Sequence, residues 1–238
     1  MASVIRLYVD HPLGVGQSVP LNREQSHYLF GVMRRGVGEV IELFNGIDGE
    51  WLARVVQAGK RNAILLCESK SKPMMLPPDL WMMFAPIKKV RTDFIVEKAT
   101  EMGAAQILPV QTDFTNSERI RQDRLQNHAL EAAEQCGGTY VPPVMELQKL
   151  SKLLDCWDDR HIMFCDENRL GEVVALSQQP GPWAILIGPE GGFSPAERER
   201  LEAMPQAQGV SLGPRILRAD TAAVAALALW QTSLGDWQ

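Results

Sequence analysis

The sequence predicts an α/β protein in two parts, a small β-rich barrel followed by a larger domain of alternating strands and helices. Three observations predict it. Short apolar runs separated by turn signals fill the chain as far as Cys67, the spacing of a compact barrel with one helix. Serine, lysine and proline then crowd into Ser69-Lys70-Ser71-Lys72-Pro73 and Leu76-Pro77-Pro78, a composition that discourages regular structure and marks a boundary. Behind it, strand-like runs alternate with helical stretches at the spacing of a largely parallel sheet. The domains are expected at 1–72 and 79–238, with 73–78 as linker.

In the first part, Ile5 to Val9 reads as a strand. Asn22, with Gln25 three residues on, caps a helix running through Met33 that Gly36 ends. Glu39 to Phe44 alternates charged and apolar residues, Asp48-Gly49 is a hairpin signal, and Trp51 to Val56 returns. Lys60-Arg61-Asn62 turns the chain again into Ala63 to Cys67.

In the second part, strands are expected at Leu80–Ala85, Ala105–Val110, His161–Cys165, Trp183–Ile187 and Val210–Leu212, and helices at Thr92–Met102 and Arg119–Gln135. The basic run Lys88-Lys89-Val90-Arg91 reads as a loop between a strand and a helix. Ser194-Pro195-Ala196-Glu197 has the cap, the first-turn proline and the returning glutamate of a helix start. The last helix, Thr221 to Trp230, is apolar nearly all round, so it must be buried against the protein or a second subunit. Ten residues are too few to span a bilayer.

Composition narrows the function. With 238 residues and 45% hydrophobic content the chain can build proper cores. The net charge of −5 argues against indiscriminate nucleic-acid binding, yet residues 1–72 hold nine Lys or Arg against seven Asp or Glu. Basic character therefore lies at the front. Four cysteines without a C-x-x-C pair and four histidines without a metal-type spacing predict no metal site. A cytoplasmic protein with reduced thiols is expected.

Two glycine-broken loops follow apolar runs: Gly188-Pro189-Glu190-Gly191-Gly192 after Ile187, and Gly213-Pro214 after Leu212. Glycines let backbone groups approach a ligand, and in open α/β sheets ligands gather beyond the carboxyl ends of strands. No Lys-Ser or Lys-Thr follows the glycines, no G-x-G-x-x-G occurs, and Glu190 would repel a phosphate. An adenine-like edge read by the backbone fits better. Either loop alone reads equally well as a plain turn.

Together, Leu186-Ile187-Gly188-Pro189-Glu190-Gly191-Gly192-Phe193 and Leu212-Gly213-Pro214-Arg215-Ile216-Leu217-Arg218-Ala219-Asp220-Thr221-Ala222 resemble the signature of the ribosomal small-subunit RNA methyltransferase E family. His27 to Arg35 is similar to that family's N-terminal domain. The resemblance implies a PUA-like RNA-binding barrel and a C-terminal SPOUT domain with a trefoil knot. It implies S-adenosylmethionine as cofactor, a uridine N3 in 16S rRNA or the small subunit as target, and a homodimer.

The cofactor is then expected at Leu186, Ile187, Gly188, Pro189, Glu190, Gly191, Leu212, Gly213, Ile216, Leu217 and Thr221, with Ile187, Leu212 and Leu217 as apolar walls. Cys165, Asp166 and Glu167, at a strand end, should border the same ligand. Losing the imide proton spreads negative charge onto the uracil oxygens, which a fixed guanidinium would stabilise. Arg218 is the first candidate and Arg215 the second; pairing with Asp220 or Glu190 is their structural alternative. The base stays open between Glu190 and Asp220. Arg6, Arg34, Arg35, Lys60, Arg61, Lys88, Lys89 and Arg91 are the candidate RNA contacts. In the family an arginine is common where this chain has Gly138. The rival readings are a non-catalytic ribosome-assembly factor and a nucleotide-dependent enzyme; the latter would want glycines where Pro86-Ile87-Lys88-Lys89 stand.

Overall fold

The computed structural model describes residues 5–116, 119–169, 171, 176 and 179–237. Two compact units emerge: Met1–Leu76 with Ala133–Val141, and Pro77–Ala132 with Pro142–Gln238. The stretch 133–141, assigned by sequence to the second domain, packs with the first. Nothing local marks it, because its partners, Arg6, Tyr8 and Met75, lie 64 to 132 residues away.

In the first unit β1 (Arg6–Tyr8) and β2 (Ser18–Leu21) precede α1 (Arg23–His27), which continues as a π-helical turn over Tyr28–Val32. The Asn22–Gln25 capping box forms as expected. Then come β3 (Val40–Phe44), β4 (Glu50–Gln57) and β5 (Ala63–Lys72), giving the mixed sheet β1-β3-β4-β5-β2. Irregular register between β4 and β5 falls at three places, and such bulges increase twist and bend a strand. Val19, Leu29, Leu43, Ala53, Val55 and Leu65 fill its core.

Two readings change here. β2 went unread because Pro20 interrupts it; it is an edge strand, where a missing N–H is tolerated. β5 runs five residues past Cys67, through the supposedly irregular Ser69–Lys72, because the backbone pairing of Glu50 with Lys72 extends the ladder.

The second unit begins with β6 (Leu80–Phe84), α2 (Lys89–Glu101), β7 (Gln106–Gln111) and α3 (Gln122–Cys136), whose last turn belongs to the first unit. β8 (Gln148–Lys149) and α4 (Leu150–Asp155) were not anticipated; both are too short for a periodic pattern. β9 (His161–Cys165), β10 (Trp183–Ile187), α5 (Pro195–Ala203), β11 (Ala207–Val210) and α6 (Ala219–Ser233) complete it. All strands pair in parallel in the order β11-β9-β10-β6-β7-β8. β10 is buried throughout, as a continuous apolar run in a parallel sheet requires.

The Lys88–Arg91 stretch is not a loop. Thr92 Oγ1 accepts from the Ile87 N–H at 3.0 Å and donates to the Ile87 carbonyl at 3.1 Å, closing the turn so that helix starts at Lys89. The last strand ends at Val210 rather than Leu212, and Ser211 Oγ turns to the backbone of Gly213 instead.

From β11 at the sheet edge the chain doubles back past β9, and α6 packs on α2 and β10. The Gly171 N–H reaches the Gly213 carbonyl at 3.4 Å along this path.

Candidate active site

The carboxyl ends of β9, β10 and β11 open together, because Ile187 lies beside Cys165 and Val210 lies beside Cys165 from the other side. Beyond them is a cleft with about 880 Å³ of empty space, partly continuous with solvent. Its first wall is the loop after β10. Gly192, at φ +68°, donates its N–H to Pro189 O at 3.0 Å. The Ser194–Glu197 capping box then starts α5. Phe193 is buried beneath Gly188 and meets Phe164 edge-on at 6.3 Å.

The floor is held by an ion pair. Asp166, nearly buried, accepts from Arg198 Nε at 2.8 Å, while Arg198 Nη2 donates to Phe193 O at 3.2 Å. The pair locks the end of β9 to α5 and to the glycine loop. Beside it, burial pushes the Cys165 thiol up to about 12. At neutral pH this side chain is a protonated wall, neither nucleophile nor base.

The second wall is the 211–218 loop with the start of α6. Ile187, Gly188, Pro189, Glu190, Leu212, Gly213, Ile216 and Leu217 all line the cleft. Three residues expected with them do not. Leu186 points into the sheet core, as strand alternation dictates after Ile187. Gly191 is exposed against Phe114. Thr221 is exposed on α6. Residues that the signature did not single out, among them Ser211, Ala219 and Ala222, also line the cleft; α6 starts two residues earlier than its pattern suggests and brings its small side chains forward.

Arg215 and Arg218 both face the cleft and are exposed. Among the described residues neither has an ion-pair partner, and Asp220 is taken by Arg91 at 3.7 Å. Arg218 occupies the N-cap of α6 without a side-chain capping bond. Two guanidiniums thus stand free in a cleft whose lining also holds Asp166, Glu167 and Glu190.

The basic residues divide. Arg6 is not a surface contact. Its guanidinium donates to buried Glu50 at 2.6 Å and to the carbonyls of Ala133, Glu134 and Gly138 at 2.7, 2.8 and 2.9 Å, over the ring of Phe44. It supplies a basic group at the end of α3, close to where Gly138 replaces one. Arg35 pairs with Glu39 at 3.1 Å and Arg91 with Asp220. Arg34, Lys60, Arg61, Lys88 and Lys89 are exposed, and among the described residues none has an ion-pair partner. Arg34 sits at φ +53°, the one non-glycine residue with positive φ among those described.

Residues 74–231 match the model of an RNA methyltransferase domain, and residues 21–66 that of an RNA methyltransferase PUA domain. A ribosomal RNA small subunit methyltransferase E from Rickettsia conorii is 30% identical over 94% of this chain and 93% of its own. The crystal structure of a ribosomal RNA small subunit methyltransferase E from Neisseria gonorrhoeae, bound to S-adenosyl methionine, superposes with a TM-score of 0.89 at 29% identity, covering 99% of this chain and 100% of the other. A putative methyltransferase from Legionella pneumophila, in complex with the bound cofactor SAM, gives 0.90 at 27% identity with the same coverage. Matching in both domains and along nearly its whole length, the chain belongs to the ribosomal RNA small subunit methyltransferase E family.

Proposed function

We infer that this protein methylates the N3 position of a uridine in 16S rRNA of the small ribosomal subunit, with S-adenosylmethionine as donor. The observation that carries it is the cleft where both glycine loops meet two unpaired guanidiniums. Family membership supports it, and relatives solved with the donor favour an enzyme over a non-catalytic assembly factor. When bound, the cofactor supplies an electrophilic methyl group on a sulfonium.

The residues present fit it. Backbone groups of 187–190, 212–213 and 215–217 can read an adenine edge, and Ile187, Leu212 and Leu217 offer apolar walls to its faces. A side chain at Gly213 would meet no atom within 4 Å, so this loop leaves its inner side open. Arg218, which lines the cleft without an ion-pair partner among the described residues, is the proposed donor to a uracil carbonyl oxygen as charge develops there, with Arg215 second. Of the two candidates for the base, Glu190 is the one that lines the cleft, where Glu167 is a further carboxylate. Asp220 is paired with Arg91 and lies outside the lining. Arg34, Lys60, Arg61, Lys88 and Lys89 are left to meet RNA phosphates.

Calorimetric titration tests the assignment. S-adenosylmethionine and S-adenosylhomocysteine should bind saturably and NAD should not. A Gly213→Val variant should weaken both by roughly 100-fold or more, since its backbone holds φ +113°, where a β-branched residue is strained. Equal binding by the variant at an unchanged melting temperature would remove this loop from the site.

A homodimer and a cytoplasmic location complete the reading. Val224, Ala225, Ala228 and Leu229 remain half-exposed on α6, an apolar surface suited to a second copy. Among the described residues no helix is long and apolar enough to cross a membrane. Sedimentation equilibrium should return twice the chain mass of 26.5 kDa; a single-chain mass at micromolar protein would end the dimer proposal.

A further inference from the structure

After β7 the chain makes a tight loop, Thr112 to Asn116, at the same carboxyl edge of the sheet as the cleft. Phe114 is its tip, and 45% of it is exposed. An aromatic ring in water needs an account when the loop that carries it is braced. Here Thr112 N donates to Thr115 Oγ1 at 2.8 Å and Thr115 N returns to Thr112 O at 3.1 Å. Asp113 Oδ2 accepts from Ser194 Oγ at 2.5 Å, and Asp113 N donates to Glu197 Oε1 at 2.9 Å. Both partners belong to the capping box that closes the first glycine loop. The loop that carries the ring is therefore tied to the start of α5, directly after the first glycine loop.

Its neighbour is Gly191. A Cβ built there would lie 3.4 Å from Phe114 Cβ and 3.7 Å from its ring. Glu190 and Gly192, on either side, line the cleft, so the ring stands at the rim of the pocket, and Arg215 and Arg218 line that same pocket. Ile216, between them, is 67% exposed. Apolar and aromatic surface interleaved with unpaired guanidiniums is the chemistry that holds unstacked bases, whose faces stack on rings while their edges take hydrogen bonds. A paired uracil can present N3 only after it leaves the duplex.

The geometry points to Phe114 as a substrate-stacking residue: its ring receives the face of an unpaired base of the RNA at the rim of the methyl-donor cleft. This rests on the methyltransferase reading above and adds to it a determinant outside both signature loops.

The test is transfer of labelled methyl from S-adenosylmethionine to unmodified 16S rRNA and small subunits by the wild type and by Phe114→Ala, Phe114→Leu, Phe114→Tyr and Phe114→Trp. Stacking on one base corresponds to a rise in KM for RNA of roughly 10- to 100-fold in Phe114→Ala, with cofactor affinity and melting temperature unchanged. Tyrosine and tryptophan should restore KM, and leucine, which keeps the apolar bulk without the ring, should not. Leucine restoring KM as well as tryptophan, or an unchanged KM in the alanine variant, overturns the stacking role while leaving the enzyme assignment standing. A wild type that transfers no methyl to either RNA overturns the assignment itself, and the proposal with it.

Discussion

Replacing Arg6 with methionine should destabilise the protein by about 3–5 kcal/mol, the usual consequence of leaving one member of a buried ion pair alone. Glu50 is fully buried, and Arg6 is its closest cation at 2.6 Å; Lys72, at 3.2 Å, is itself partly exposed. Burial works against the charged carboxylate, yet hydrogen bonds from Arg6, Ser71 and Lys72 outweigh it and hold Glu50 below its ordinary value. A carboxylate depressed in this way contributes stability that is fully present above its unfolded value and is lost as pH falls through its folded one. Without Arg6 the balance reverses, and an ionised Glu50 becomes a burden that protonation relieves. The gap between wild type and variant should accordingly be widest near neutrality and narrow below about pH 4.5. Urea unfolding across that range measures it, and a gap that stays constant with pH would show that Glu50 is not the group left exposed to the loss. Packing adds to the effect, since the guanidinium lies 4.4 Å above the centre of the Phe44 ring.

The second large effect is catalytic. Arg218→Ala should lower kcat by roughly 10²–10³, the range seen when one donor to a developing oxyanion is removed. Cofactor affinity should hold within about twofold, an allowance well under the 1.4 kcal/mol of a tenfold change. Stability should change little, because the Arg218 side chain makes no capping bond to α6. Arg218→Lys keeps the charge but not the planar fork, so it should recover only part of the rate. Arg215→Ala should fall between the two. If the alanine variant instead lost cofactor binding in step with rate, Arg218 would be a wall of the pocket and not a stabiliser of the uracil.

How much of this was legible depended on distance along the chain. β9, β10 and the Ser194 cap were readable to the residue, since a buried parallel strand is a continuous apolar run and a capping box is local chemistry. The two glycine loops were readable as a pair. What pattern could not reach was the partner of each charge. Arg6, in the most basic part of the chain, looked like a hand held out to phosphate and is instead folded inward onto carbonyls 127 and 128 residues away. The Asp166–Arg198 clamp and the Ser194–Asp113 bond that braces the loop of Phe114 also join residues that share no periodic element. Leu186 and Thr221 show the opposite limit: a signature marks a stretch, and the pleat or helical turn decides which of its members face the ligand.

The placement of 133–141 bears on how the molecule is made. The Arg6 guanidinium, the Tyr8 amide and the Met75 amide all find their partners in that segment, at Ala133, Glu134, Gly138 and Thr139. During synthesis the N-terminal unit therefore emerges incomplete and must wait for 65 further residues, from Leu76 to Val141, before its last hydrogen bonds can close. At ordinary elongation rates that is a delay of roughly 3–13 s. Throughout it, the first-made part of the chain depends on a stretch not yet synthesised.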